Sequence, residues 1–254
     1  MSQSEKPVAE RMWGELLPFV KGALAEVDAE YAEFIFQEIF NRLYAREDKL
    51  DLKTRELCII AFLTALGKPE ELDIHFMVAF NLGWTYEEIR ELLVLCVIPA
   101  GVPASIDALR KLKTWCENNR KTVAAGRPLR DAYADTDWGA QGHMTGEALF
   151  GAGEWNRYHG DLAQMDTDLA AFMAENFVGR LLTRDGLDRR TRQLCLVAAF
   201  AALKSTVHLK LHIHGALNSG ANMDEIKEIL YQVGIYAGQE AVSHGVAVCR
   251  SIAR

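Results

Sequence analysis

The sequence lacks a C-x-x-C pair, and its five cysteines are isolated from one another along 254 residues. An odd number of such cysteines does not suit a disulfide or zinc framework, so we expect reduced thiols packed in the core. Clusters of Lys and Arg are missing as well, and the formal net charge is -7. Because phosphate contacts require a local excess of cations, this charge argues against a general nucleic-acid-binding protein.

Long apolar runs are also missing. The longest, such as residues 57–66, are too short to span a bilayer. The N-terminal segment MSQSEKPVAER has no apolar core of a signal peptide. We therefore expect a cytoplasmic protein that does not associate with membranes. Alternation of polar and apolar residues with period two is nowhere long enough for a sheet, which leaves helices.

What the sequence does contain is a repeat. Residues 50–104 align without a gap with residues 187–241, 137 positions later, and 22 of the 55 positions are identical. The chain is therefore predicted to be a tandem duplication, with one copy in residues 1–120, the other in 147–254, and a Gly- and Ala-rich linker over 121–146. The identities include polar residues as well as core positions: Asp51/Asp188, Arg55/Arg192, Cys58/Cys195, His75/His212, Glu88/Glu225 and Gly101/Gly238.

The pattern within each copy is helical. Asp51 is a suitable N-cap for a helix that ends at Gly67. A second helix ends at Gly83, and the T-x-x-E sequence at 85–88 predicts a capping box at the start of a third. We therefore predict an all-α fold, in which one helical unit occurs twice along the chain.

The first two helices of this unit bring a polar pair together. Glu56 and His75 lie at equal distances from the turn between the helices, so their side chains are predicted to face each other. A carboxylate beside an imidazole forms an acid–base unit, because the carboxylate fixes the tautomer of the ring. In the second copy the pair is Gln193 and His212, which keeps a hydrogen bond but loses the charge. An enzymatic role requires each ring to face a cavity; the alternative is a pair of hydrogen-bonded core histidines.

Further polar residues allow a functional or a structural interpretation. Arg55 and Arg192 lie near helix N-termini and need an anionic partner, either a carboxylate of the fold or a substrate. His208 and His212 are one helical turn apart, a spacing that metal sites use, and His214 follows. No third ligand is evident, and a polar pocket wall or a solvated surface explains the pattern as well. We therefore predict no metal site.

In the order and spacing of its motifs, the sequence resembles the carboxymuconolactone decarboxylase family of the alkylhydroperoxidase D-like superfamily. The first copy carries LDLKTREL, the histidine, AFNLG, EEI and AGVPA; the second carries LDRRTRQL, the histidine, ALNSG, DEIKEIL and IYAGQEA. The resemblance implies an all-helical fold and a role in the catabolism of aromatic compounds. It also implies a homo-oligomer, either a trimer that presents six units or a dimer.

Thiol peroxidases of this superfamily use C-x-x-C-x-x-x-H together with a Glu on the preceding helix. The Glu and the His are matched here, but the two cysteine positions hold Lys68 and Glu71 in the first copy and Ser205 and His208 in the second. A thiol peroxidase without a thiol has no nucleophile, so the sequence argues against this activity.

The decarboxylase branch works without thiols or a cofactor on a small carboxylated lactone such as 4-carboxymuconolactone. Loss of CO₂ leaves a dienolate, so the protein has to bind carboxylates, stabilise an oxyanion and return a proton. Another lyase, isomerase or hydrolase reaction on a related acid, or a binding or assembly role without catalysis, is the alternative. By resemblance, the proton donors are His75 and His212, the anion anchors Arg55 and Arg192, and the orienting partners Glu56 and Gln193. We also predict that His208, His214 and Tyr236 contact the substrate, although His208 and His214 belong to no pattern of the family.

The resemblance is divided between the copies. The first copy keeps the carboxylate, Glu56. The second copy keeps the aromatic residue that the family has at the end of the third helix, as Tyr236-Ala237-Gly238, where the first copy has Pro99. The LDRRTR start and the Tyr-Ala-Gly end favour the second copy as the catalytic one.

Overall fold

The computed structural model describes residues 6–123 and 136–252. Within these ranges the chain is built from helices and contains no β-strand, which confirms the all-α prediction. None of the described helices is both long and apolar enough to cross a membrane. Much of the predicted linker, residues 124–135, lies outside the described residues.

The two copies present their helices in the same order. The first copy contains α1 (Val8–Trp13), α2 (Leu17–Val27), α3 (Ala29–Phe34), α4 (Leu52–Ala65), α5 (Leu72–Asn81), α6 (Tyr86–Leu95) and α7 (Val97–Asn118). The second contains α8 (Trp138–Phe150), α9 (Ala152–Met165), α10 (Thr167–Phe172), α11 (Arg189–Ala202), α12 (Thr206–Asn218), α13 (Met223–Ala237) and α14 (Gln239–Ile252). In each copy the third helix continues as π-helical turns, Ile35–Leu43 after α3 and Met173–Leu181 after α10.

Side-chain caps fix the starts of the central helices. At the start of α4, Asp51 accepts a hydrogen bond from the Thr54 amide at 2.8 Å. At the start of α11, Asp188 accepts one from the Thr191 amide at 2.9 Å. The capping box predicted at 85–88 is present at the start of α6. Because these caps satisfy amides that a helix leaves free, they fix the register of the helices that carry the candidate site.

The second copy begins earlier than its sequence suggests. Residues 138–146, predicted to belong to a linker over 121–146, form the greater part of α8. The glycines there are misleading because they permit close packing: a Cβ atom on Gly142 would collide with the Ala174 carbonyl group. A residue without a side chain is needed for this contact between helices and does not mark a flexible connection.

The two copies pack against each other through α4 and α11. These helices are equivalent in the repeat, and Cys58 contacts Cys195, its own equivalent, between them. Contact between equivalent residues indicates an approximate two-fold axis between the copies. Both thiols are fully buried and free of disulfide bonds, as predicted.

Ion pairs join the copies but differ on the two sides of this axis. On one side, Glu228 of α13 binds Arg55 at 2.8 Å and Arg46 at 2.6 Å. On the other side, the equivalent residue Glu91 of α6 binds Arg184 at 2.8 Å. The side chains of Arg55 and Glu228 are each 1% exposed, so this pair is sealed between the copies.

Helix α13 places a polar face against the first copy. Glu228, Gln232 and Tyr236 follow one another at intervals of four residues and therefore lie on one side of the helix. Gln232 donates a hydrogen bond to the Arg55 carbonyl oxygen at 3.0 Å. The equivalent positions of α6 carry a single polar residue, Glu91. The ion pair of Glu228 therefore has a counterpart in the opposite direction, whereas the contacts of Gln232 and Tyr236 do not.

Both copies expose apolar side chains at equivalent positions. Tyr31 and Phe34 of α3 are 60% and 53% exposed, and Leu169 and Phe172 of α10 are 39% and 54% exposed. The helical period of these residues is typical of a face that is covered. Such faces suit contacts between chains; the homo-oligomer predicted from the sequence stays a prediction.

Candidate active site

His75 and Glu56 form a buried, hydrogen-bonded pair in the first copy. Glu56 lies on α4 and His75 on α5, and the Nδ1 atom of the ring is 2.7 Å from Oε1 of the carboxylate. The side chains of His75 and Glu56 are 7% and 1% exposed. The structure therefore brings these residues together across the helix hairpin, as the spacing in the sequence predicts.

The hydrogen bond distinguishes the two ring nitrogens of His75. When Glu56 is ionised it can only accept, so Nδ1 of His75 then carries the proton and Nε2 is left for proton transfer. The second carboxylate oxygen of Glu56, Oε2, is buried and has no hydrogen-bond partner among the described residues. A negative charge beside the ring offsets the positive charge that the imidazole acquires when Nε2 takes a proton. The arrangement suits a group that takes up a proton and later returns it.

Tyr236 reaches this pair from the other copy. Its ring packs edge-on against His75 with the ring centroids 5.8 Å apart, and it contacts Phe62 at 5.0 Å. Its hydroxyl oxygen lies 3.4 Å from the hydroxyl oxygen of Tyr44, a residue of the first copy. The candidate site is thus assembled from both copies, since Glu56, His75 and Tyr44 come from the first and Tyr236 from the second.

Both phenols at this site are hydrogen-bond donors. Burial raises the pKa of the Tyr44 hydroxyl above its usual range. Burial, and after it the neighbouring Tyr44, raises the pKa of Tyr236 well above its usual value. Each hydroxyl therefore keeps its proton near pH 7. If Tyr44 donates to Tyr236, the hydrogen of Tyr236 is free for an oxygen atom of a molecule bound beside His75.

The equivalent pair in the second copy has a different environment. Nδ1 of His212 lies 2.7 Å from Oε1 of Gln193, so the hydrogen bond is kept without the charge. Phe200 stacks on the His212 ring with centroids 5.1 Å apart, and Phe150 packs edge-on against it at 5.4 Å. Burial, and after it the neighbouring His208, lowers the pKa of His212 to about 3. This imidazole is therefore neutral near pH 7 and takes up a proton only at a large cost.

The low pKa of His212 predicts a pH dependence of stability. An exposed imidazole titrates near 6.5 and His212 near 3, so between these values the unfolded chain binds a proton that the folded chain does not. The contribution of neutral His212 to the free energy of unfolding is complete above pH 6.5 and is lost as the pH falls towards 3. His212→Gln should lower the slope of unfolding free energy against pH in this window by at most about 1.4 kcal/mol per pH unit. Urea unfolding inside and above the window measures this slope, and a variant with the wild-type slope would contradict the assignment.

His208 and His214 do not approach the His75 site through any of their described contacts. Nδ1 of His208 lies 3.2 Å from the Ser205 hydroxyl oxygen, and its Nε2 lies 3.4 Å from the Tyr158 hydroxyl oxygen. Burial lowers the pKa of His208 and of His214. Residues 6–123 and 136–252 contain no group of three His, Cys, Asp or Glu side chains placed to hold a metal ion.

The two arginines expected to anchor anions are bound to other groups of the protein. Arg55 binds Glu228 and donates to two backbone carbonyl groups at 3.0 and 3.1 Å. Arg192 donates to three backbone carbonyl groups in the loop before α11, and burial lowers its pKa. Because both side chains are buried and bound to groups of the fold, the structural interpretation of these residues is favoured over binding of a substrate carboxylate.

Four of the best-defined cavities of the described residues are lined by neither imidazole, contrary to expectation. One cavity has a volume of about 270 Å³, and its lining includes Lys68 and Leu72, which shortly precede His75 in the sequence. Larger cavities lie beside the N-terminal helices and around residues 182–189. The expectation that each ring faces a cavity is therefore not met, and a substrate reaches His75 only if a side chain that covers the ring moves. Tyr236 contacts the ring and is itself 36% exposed, so it is placed to do this.

Sequence comparison of the copies misses two members of the site. Tyr44 precedes the aligned region; it follows the π-helical turns of the first copy directly, as Leu182 follows those of the second copy. Gln232, whose interaction with Tyr44 lowers the pKa of that phenol, corresponds to Leu95. A signal was present in the polar residues at 228, 232 and 236 on one face of α13, which indicates a buried polar contact. The sequence alone does not say which copy this face contacts.

These features define a class of protein: an all-helical chain that carries two related units with a histidine hairpin in each. The model of the carboxymuconolactone decarboxylase family matches residues 29–114 and again residues 168–250, which include both histidine pairs. The chain belongs to this family, as its sequence motifs indicate.

Individual relatives match shorter stretches. A 4-carboxymuconolactone decarboxylase from Acinetobacter baylyi is 36% identical over 86 residues, which cover 34% of this chain and 63% of that protein. A nitrosuccinic acid decarboxylase from Metarhizium robertsii is 35% identical over 60 residues, which cover 24% of this chain and 42% of that protein. An uncharacterized 15.0 kDa protein from Paracoccus denitrificans is 27% identical over 99 residues, covering 37% of this chain and 74% of that protein. The chain thus spans less than two thirds of the length of both decarboxylases.

Proposed function

We propose that the chain is a decarboxylase for a small carboxylated lactone such as 4-carboxymuconolactone, and that catalysis takes place at His75. The observation that carries the proposal is the contact of Tyr236, from one copy, with the Glu56–His75 pair of the other. A proton-transfer group, its carboxylate partner and a phenol donor are what decarboxylation through a dienolate requires. Family membership and the two decarboxylase relatives support the same class of reaction.

The charges around the site favour the departure of CO₂. Glu56 keeps one carboxylate oxygen unpaired, and Glu71 adds a negative charge that acts on Tyr236. A substrate carboxylate in these surroundings is repelled, and the repulsion disappears as the group leaves as neutral CO₂. The negative charge moves meanwhile to the lactone carbonyl oxygen, to which the Tyr236 hydroxyl donates a hydrogen bond. The site therefore interacts more favourably with the transition state than with the bound acid.

His75 completes the reaction by protonating carbon. Its imidazolium form, held at Nδ1 by Glu56, donates the Nε2 proton to the dienolate, and the neutral ring is then reprotonated from solvent. The carboxylate of Glu56 keeps the ring oriented in both protonation states.

The second copy has a supporting role in this proposal. His212 is neutral near pH 7, and its partner Gln193 carries no charge. The tyrosine that favours the second copy in the sequence, Tyr236, packs on His75 of the first copy. The preference between the copies is therefore reversed: the second copy donates a residue to the site and the first performs the proton transfer.

The test compares His75→Gln with His212→Gln, the same substitution at equivalent positions. Release of CO₂ from 4-carboxymuconolactone by the purified full-length chain should fall by about 10²–10⁴-fold in His75→Gln. It should stay near the wild-type rate in His212→Gln, and melting temperatures check that both variants fold. A larger loss in His212→Gln would place the chemistry in the second copy. No release by the wild-type chain would remove this function.

A further inference from the structure

We infer that the His75 site also isomerises small unsaturated lactones that carry no carboxylate, by moving a proton from one carbon atom to another. The inference rests on the site of the proposed function and extends it to a second class of substrate. It follows from the nature of the donors at the site and from the contacts of Arg55.

The oxyanion donors described at this site are neutral. The hydroxyl oxygens of Tyr236 and Tyr44 lie 3.4 Å apart, so one phenol can donate to the other and leave a hydrogen for the ligand. Gln232 approaches Tyr44 from the same helix that carries Tyr236. Donors held in place in this way stabilise an enolate oxygen, whatever group left the neighbouring carbon. The stabilisation therefore does not depend on CO₂ as the leaving group.

The cation next to the site is not available to hold a carboxylate. Arg55 is near enough to act on Tyr44, but its guanidinium is bound to Glu228 and to two carbonyl groups. The charges that act on Tyr236 include the carboxylates of Glu56 and Glu71. A neutral ligand avoids repulsion from these carboxylates, whereas a carboxylated one does not. Binding of a neutral lactone is thus at least as compatible with the site as binding of an acid.

The reaction balances without a co-reactant. Neutral His75 takes a proton at Nε2 from the carbon between the carbonyl group and the double bond of a β,γ-unsaturated lactone. The C–H electron pair moves into the carbonyl group, and the dienolate oxygen accepts a hydrogen bond from Tyr236. The imidazolium then returns a proton to the γ carbon, and the double bond shifts into conjugation with the carbonyl group. One C–H bond breaks, one forms, and the composition of the lactone is unchanged.

The connection with decarboxylation is the shared dienolate. In decarboxylation the C–C bond to CO₂ breaks to form it, and in isomerisation a C–H bond breaks instead. Protonation by His75 is common to both reactions, and a step that protonates carbon also removes that proton in the reverse direction. A site that performs the second half of decarboxylation therefore has the groups for the isomerisation.

Tyr44 has a separate assignment as a positioning residue. It contacts the site through the hydroxyl of Tyr236 and so orients the donor hydrogen. Tyr44→Phe should lower kcat for the isomerisation while KM stays unchanged, because the ligand contacts remain. A merely structural role would instead lower the melting temperature and leave kcat of the folded fraction unchanged.

The experiment uses α-angelica lactone, a neutral β,γ-unsaturated lactone, in D₂O with the full-length chain. NMR should detect deuterium uptake at the carbon next to the carbonyl group and formation of the conjugated isomer. Tyr236→Phe keeps the ring that covers His75 and removes the donor, so both rates should fall by about 10²-fold. Tyr231→Phe, on the exposed side of the same helix, is the matched control and should keep the wild-type rates.

The outcomes separate this inference from the proposed function. Release of CO₂ from 4-carboxymuconolactone without deuterium uptake by α-angelica lactone would overturn the inference and leave the decarboxylase. Deuterium uptake without CO₂ release would support the inference and remove the decarboxylase. Deuterium uptake that Tyr236→Phe does not reduce would overturn the assignment of the phenol donor.

Discussion

Replacing Glu56 with Gln is expected to lower the rate of decarboxylation by about 10²–10⁴-fold. The substitution gives the first copy the amide–imidazole pair that the second copy has naturally, and this pair is compatible with the fold there. The hydrogen bond to His75 persists, but the charge that stabilises the imidazolium is gone. We therefore expect the loss in kcat with a nearly unchanged melting temperature. Steady-state kinetics on 4-carboxymuconolactone and thermal unfolding of the same sample measure the two quantities.

The reciprocal substitution, Gln193→Glu, is the matched control. It gives His212 a carboxylate partner, so the pKa of His212 should rise from about 3, as an NMR titration of the ring would measure. Catalysis should not appear in the second copy, because Leu182 and Pro99 stand where the first site has Tyr44 and Tyr236. Full activity of Glu56→Gln, or activity gained through Gln193→Glu alone, would refute the division of roles between the copies.

Replacing Glu228 with Ala is expected to destabilise the chain by about 3–5 kcal/mol. The substitution leaves the Arg55 guanidinium buried between the copies without its counter-charge. Nη1 of Arg55 already lacks a hydrogen-bond partner in the described part of the chain, so the structure offers no substitute. The free energy of unfolding from urea titration measures the loss.

The duplication supplies a control for this prediction. Glu91→Ala removes the equivalent carboxylate, but its partners Arg184 and Arg90 are 31% and 14% exposed and can be hydrated, so the expected loss is about 1–2 kcal/mol. A double variant, Arg55→Met with Glu228→Met, should recover most of the stability because no buried charge is left. Equal losses in Glu228→Ala and Glu91→Ala would mean that burial of Arg55 is not the cause.

Several features of the site could be predicted from the sequence because they are local. Glu56 and His75 belong to one helix hairpin, and the spacing on either side of a short turn determines which residues face each other. The cap at Asp51 sets the start of α4. The same reasoning gives the Gln193–His212 pair, since the repeat preserves the spacing. These contacts depend on helix geometry alone, which can be inferred from the spacing of residues in the sequence.

Other features could not be predicted because they depend on packing between distant segments. Nothing in the sequence around Tyr236 indicates that its ring rests on the histidine of the other copy. The partner of Arg55 was left open between a substrate and the fold, and Glu228 of α13 decides it. The extent of α8 was obscured by glycines that serve helix contacts. In each case the deciding atoms belong to helices that meet only after the copies have packed together.

The sequence by itself determined that the chain is helical, that its unit occurs twice and that each unit pairs a histidine with an acid or an amide. Periodicity, capping residues and the repeat are patterns of the sequence itself, so they can be recognised without coordinates. Only the tertiary structure decided which histidine has a charged partner together with a phenol. The packing of α4 against α11 fixes where the polar face of α13 falls, and that face lies on the first copy alone because α6 does not carry its counterpart.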